Sequence, residues 1–169
     1  MNSEISEIED CVPALRRYAS GLVRNRHDAD DLVHDCLLRA LTRLHTRRET
    51  GSIRAWLFAI MHNLFVSQLR SARVRADAAL PPFALGPAET SASQEDALHW
   101  RDLLRGLEIL PPEQRSVLLL VSVEDMSYAE AAQALDIPVG TVMSRLSRAR
   151  EQLRKYVESG ARPALRRVK

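Results

Sequence analysis

The segment SYAEAAQALDIPVGTVMSRLSRAREQLRK, residues 127–155, carries side chains suited to reading a nucleic acid. Ser127 and Glu130, three positions apart, have the spacing of a capping box and start a helix. Ala131, Ala132 and Leu135 give that helix a small, flat inner face that lets a second helix approach. Pro138 in the turn DIPVG suits the start of a new helix and not its interior. In the second helix Val142, Leu146, Ala149 and Leu153 recur at helical spacing and point inward. Thr141, Ser144, Arg145 and Arg148 then point outward from its first turns, and Arg150, Arg154 and Lys155 continue the positive charge. Hydroxyls and arginines on the N-terminal turns of a recognition helix are what the major groove requires. Arginine can bridge two acceptors of a guanine, and further cations hold phosphates. The plainer reading is an amphipathic helix with a solvated basic face. The short preceding helix and tight turn favour DNA binding.

A second group lies in the N-terminal half. Asp28, Asp30 and Asp31 begin a helix over 28–44, where the helix dipole favours negative charge. Ala29, Leu32, Val33, Cys36, Leu37, Ala40, Leu41 and Leu44 form its apolar stripe. The acids are either dipole complements or acceptors for a basic partner helix. A following helix holds Phe58, Phe65, His62 and Asn63 ahead of the run RSARVR, residues 70–75. An aromatic and an amide near arginines could hold an unstacked base, with phosphates on the arginines. The competing reading places both phenylalanines in the core, and for Phe58 it is the stronger.

No enzyme chemistry is legible. His27, His34, His45, His62 and His99 show no metal-ligand spacing, and no acids, bases or nucleophiles converge. Cys11 and Cys36 are too few for a disulfide framework. Cys36 is expected to be buried and inert, Cys11 to be an exposed bystander, and Trp100 to be core. No cofactor and no metal are expected.

These side chains need helices to position them. Glycine is scarce, at six residues, strand-like alternation is nearly absent and helical periodicity is common, so the fold class is all-α. Helices are predicted over 12–25, 28–44, 52–75, 95–108, 112–123, 127–135 and 138–157, with a loop over 45–52. Residues 76–93, ADAALPPFALGPAETSAS, hold three prolines among small residues, a linker composition. The expected organisation is an N-terminal domain over 1–75, a flexible linker over 76–94, a C-terminal helix-turn-helix domain over 95–160 and a basic tail over 161–169. The linker implies no fixed mutual orientation of the two domains unless a partner or direct domain contact holds them.

Apolar residues make up 46% of the 169, enough for real cores. The formal net charge is +2, so positive charge for DNA must be local. The N-terminus is acidic without an apolar run, unlike a signal peptide. The apolar run Val117–Val121 falls far short of the roughly 20 residues of a membrane helix. A cytoplasmic protein without membrane insertion is expected.

LPPEQRSVLLLVSVEDMSYAEAAQALDIPVGTVMSRLSRAREQLR resembles the C-terminal domain of extracytoplasmic-function (ECF) sigma factors. RHDADDLVHDCLLRAL is similar to that family's core-polymerase-binding helix, and IRAWLFAIMHNLFVSQLRSAR to its −10-reading helix. The resemblance implies a sigma factor that directs promoter-specific initiation by core RNA polymerase under control of an anti-sigma factor. It implies that the N-terminal domain docks on the β′ clamp coiled coil, melts the −10 element and captures a flipped base with the loop before the −10 helix. It implies that the C-terminal domain reads the −35 element of promoter DNA and touches the β flap. By position, Asp30, Asp31, Leu32, Val33 and Asp35 match the polymerase-binding motif. Asn63, Arg70 and Arg73 match the −10 surface, and Thr141, Ser144, Arg145 and Arg148 the −35 surface. His34 stands where glutamine is usual, and Met143 where many relatives carry a basic residue. The competing function is a helix-turn-helix regulator acting on an operator without polymerase.

Overall fold

A computed structural model describes residues 2–47, 51–77 and 104–159. Helices α1 (Asn2–Leu22), α2 (Arg26–Arg43) and α3 (Ile53–Asp77) form the N-terminal half, with a 3-10 turn at Leu44–Thr46. After a short helical stretch at 104–108 come α4 (Pro112–Leu118), a π turn (Leu119–Val123), α5 (Tyr128–Leu135) and α6 (Val139–Glu158). No strand occurs among the described residues. The expected all-α architecture is present. Most of the linker, the start of the 95–108 helix, Trp100 and the tail lie outside the described residues.

Helix α1 begins ten residues before the sequence suggests and runs through Pro13. Proline there removes one intrahelical bond. Pro13 itself is exposed, and the turns before it are anchored by Ile8, which is 3% exposed. Helix α2 starts where Asn25 caps it, accepting from the Asp28 N–H at 2.7 Å. Ala29, Leu32, Val33, Cys36 and Ala40 are buried against α1 and α3. Leu41, counted on that stripe, is 49% exposed. At 100° per residue it lies about 120° from the stripe's centre, so the stripe is narrower than the pattern suggests.

Helix α3 is the central element. Its apolar residues pack on α1 and α2 on one side and on α5 on the other. Phe58 is wholly buried and meets Tyr18 edge-on at 5.2 Å. The expected helix over 112–123 changes character halfway. Its last turn widens, with the Glu124 N–H donating to the Leu119 carbonyl and Met126 to Leu120. Leu118, Leu119 and Leu120 are consecutive and all buried, which a single-faced α-helix could not achieve.

The buried residues of the two halves form one continuous core. The expectation of halves without fixed mutual orientation therefore gives way to direct contact. Gly21 on α1 makes this approach possible. A Cβ there would lie 2.7 Å from both terminal carbons of Leu119. Across the same seam the Arg115 guanidinium donates to the Leu22 carbonyl at 3.1 Å, and Arg24 faces Glu108 at 3.7 Å.

Candidate nucleic-acid and polymerase interfaces

The helix-turn-helix is built as its sequence suggests. Ser127 accepts from the Glu130 N–H, and the Glu130 carboxylate accepts from the Ser127 N–H at 2.9 Å. The Ser127 hydroxyl, donating to the same carboxylate at 2.7 Å, and then the Ser127 N–H hold the Glu130 carboxyl below the usual carboxylate range. Helix α5 ends at Asp136 in the left-handed conformation, φ +52°, a conformation Asp tolerates through its short polar side chain. Pro138 then precedes α6. Val142, Leu146 and Ala149 are buried, and Leu153 half-buried.

On α6, Ser144 and Arg148 are exposed and Thr141 and Arg145 half-buried. Thr141, Arg145 and Arg148 share one side of the helix at three- and four-residue spacing. Ser144 lies next to them, with its hydroxyl donating to the Thr141 carbonyl at 3.1 Å. Arg150 is exposed on the opposite side with Met143, about 160° from Arg148 at 100° per residue. The expected run of free charge beyond it is not there. Arg154 pairs with Glu151 at 2.8 Å and Glu158 at 2.9 Å, and Lys155 with Glu151 at 3.3 Å.

On α3, Asn63 and Arg70 are seven residues apart on one exposed face, and Arg73 is also exposed. Phe65 is 3% exposed, so it belongs to the core with Phe58 and cannot stack on a base. The aromatic that stands open is Trp56, half-buried at the surface. The Arg47 guanidinium lies 5.7 Å from its ring centroid. Trp56, Arg43, Arg47 and Ser52 line a cavity of about 360 Å³, and Gln133 of the helix-turn-helix closes its far side. Gly51 on its rim has φ +109°, which a side chain would strain, and its carbonyl accepts from Arg47. Neither Trp56 nor Arg43 stands out in the sequence. The Trp56 ring sits at the edge of an apolar run and reads there as core.

On α2, Asp30, Asp31 and Asp35 are exposed, whereas Leu32 and Val33 are buried. Leu32 and Val33 therefore hold the helix in place rather than face a partner. The outward face instead gains Leu38 and Leu41, 50% and 49% exposed. Asp31 pairs with His27 at 3.4 Å and Asp30 with Arg26 at 3.8 Å, both in solvent. Cys36 is buried, and burial pushes its thiol up to about 12, which makes it inert. Cys11, expected to be exposed, is half-buried against the core, and burial raises its pKa too.

His62 lies on α3 within the electrostatic reach of Arg145 on the recognition helix. Burial, then the charge of Arg145, lowers its pKa to about 4, with Glu113 opposing. The packed imidazole is neutral at pH 7. A released or unfolded imidazole binds protons more readily, so the stability from this site is complete above about pH 6.5 and is lost as pH falls through about 4. The sum is on the order of 3 kcal/mol at 1.36 kcal/mol per unit. His62→Gln should flatten the loss of thermal stability between those values. Identical pH profiles for the two proteins would show that another group titrates.

One half thus presents a helix-turn-helix and the other an acidic helix beside an arginine-bearing one. The family profile "Sigma-70, region 4" matches residues 100–153, and "Sigma2 domain of PhyR" matches residues 8–62. The chain is 37% identical over 147 residues to the ECF RNA polymerase sigma factor EcfG of Rhodopseudomonas palustris, spanning 87% of this chain and 81% of that one. It is 33% identical over 162 residues to the RNA polymerase sigma-E factor of Streptomyces avermitilis, spanning 94% and 89%. Among solved structures, the sigma factor RpoE in complex with the anti-sigma factor NepR from Bartonella quintana superposes with a TM-score of 0.76 at 30% identity, covering 94% of this chain and 98% of that one. CnrH in complex with the cytosolic domain of CnrY shares the fold, with a TM-score of 0.72 at 23% identity over 94% and 89%. The chain belongs to the ECF RNA polymerase sigma factors. That membership favours the sigma factor over an operator-binding regulator. Among the described residues, no helix is long and apolar enough to cross a membrane.

Proposed function

We propose that this protein binds core RNA polymerase and directs promoter-specific initiation, contributing recognition and melting and no catalysis of its own. The observation that carries the proposal is the pairing in one chain of a sigma2 match with a region 4 match. Core binding falls to Asp30, Asp31 and Asp35 on the outward face of α2, with Leu38 and Leu41 beside them. The −10 element falls to Asn63, Arg70 and Arg73, and the −35 element to Thr141, Ser144, Arg145 and Arg148. Arg150, on the other side of α6, suits a phosphate. The likeness to a sigma factor held by NepR supports an anti-sigma partner for this chain, acting with it in the cytoplasm.

In vitro transcription with purified core polymerase on a promoter pool tests this. The free chain, with net charge +2, should bind duplex promoter weakly and initiate specifically once core enzyme is added. Operator-like binding by the free chain, without stimulation of core enzyme, would refute the proposal. In the same assay Arg148→Ala should cost about 1–3 kcal/mol and relax preference at one −35 position. A loss uniform across sequences would make Arg148 a phosphate contact.

A further inference from the structure

Glu124 is an acid with no place in either reading surface. Its side chain is wholly buried at the end of the π turn, in the C-terminal half. Its partners belong to the N-terminal half. Arg17 on α1 donates through Nε at 3.1 Å and through Nη2 at 2.9 Å, a two-pronged pair. Arg54 on α3 donates to the same carboxylate at 3.2 Å and also to the Glu124 backbone carbonyl. The widened π turn ends at Glu124 itself. Around this triad the seam is tight: Gly21 faces Leu119, and the buried Tyr18 hydroxyl lies beside Ser116.

This closed arrangement conflicts with promoter binding. The −10 and −35 elements are separated by roughly 25 base pairs, about 85 Å at 3.4 Å per step. Here the helix-turn-helix is folded onto the helix that carries Asn63. Gln133 of α5 closes the cavity that holds Trp56 and Arg47. The charge of Arg145 on α6 is felt at His62, next to Asn63 in the chain. Two reading surfaces carried on halves packed directly against each other cannot span such a distance, so the halves must part on the promoter.

We propose that Glu124 is an interdomain latch: paired with Arg17 and Arg54, it holds the free sigma factor in a closed, promoter-incompetent form that core polymerase must open. The proposal rests on the sigma-factor reading for its consequence, but the latch itself is a property of the free chain. An ion triad suits the role. A carboxylate sealed from water is tolerable only with its guanidinium partners, yet all three groups are well solvated once the halves separate. The contact is thus specific for one geometry and cleanly reversible.

The test uses the full chain carrying Glu124→Gln, which keeps volume and removes charge, and separately Arg17→Gln. Gly21→Leu, which wedges against Leu119, opens the seam without touching a charge. Small-angle X-ray scattering should show a larger radius of gyration for each variant than for wild type, with helical content preserved by circular dichroism. At limiting sigma factor, core-dependent transcription should rise severalfold, a gain that loss of a merely structural contact would not produce. If Glu124→Gln does not fold, Arg17→Gln decides, since Arg17 is half-exposed. Unchanged dimensions in the folded variants would overturn the latch. Wider dimensions without increased transcription would overturn its inhibitory role. Absence of core-dependent transcription by wild type would count against the sigma-factor reading, while the scattering comparison still judges the latch.

Discussion

Reversing Asp31 and Asp35 to lysine is expected to weaken binding to core RNA polymerase on the order of 100-fold, because truncating a desolvated charge pair costs about 2–5 kcal/mol. The fold should survive. Both residues are exposed on α2, on the side away from Leu32, Val33 and Cys36. Asp31 gives up only a solvent-exposed contact with His27 at 3.4 Å. Neither residue touches the cap, which rests on Asn25 and Asp28. The exposed Leu38 and Leu41 on the same face supply the apolar part that a protein interface centre needs. Competition with wild type for core enzyme, beside thermal melting, separates the effects. A variant that melts normally and competes normally would remove this face from polymerase binding.

The parts of this molecule that were readable in sequence are those with local physical signatures. The helix-turn-helix is the clearest. Its capping box, its turn with Pro138, and the buried Val142, Leu146 and Ala149 are all encoded within a few residues of one another. Helix α2 was readable for the same reason, although Leu41 shows how a generous apolar stripe hides an exposed leucine. The first turns of α1 were missed because Pro13 reads as a helix start, whereas Ile8 anchors the turns before it. Phe65 and Trp56 exchanged roles. Both lie on α3, which is covered on two sides, so periodicity could not say which aromatic faces the opening. The seam left no local trace. Arg17 and Arg54 are 107 and 70 residues from Glu124, and no pattern links them along the chain.

Asn63→Ala is expected to reduce open-complex formation on a duplex promoter while leaving core binding and −35 recognition unchanged. Asn63 is exposed on α3, in register with Arg70, so its loss creates no cavity and unpairs no buried group. The hypothesis is that its amide and the loop ending at Gly51 contact a base extruded from the −10 element. The cavity beside that loop, with Trp56 and Arg47 on its wall, has the aromatic and cationic lining that an unstacked base requires. Extruding a base costs a few kcal/mol in unstacking and unpairing, and contacts to the flipped base offset it. If Asn63 supplies part of that offset, the mutant's defect should shrink on a template whose −10 region is already opened by mismatches. A general loss of DNA affinity would depress both templates alike. Permanganate footprinting of the two templates with wild type and mutant measures this directly. Equal opening of the duplex promoter by both proteins would exclude Asn63 from melting. A defect of equal size on both templates would instead assign it to binding of the single strand after melting.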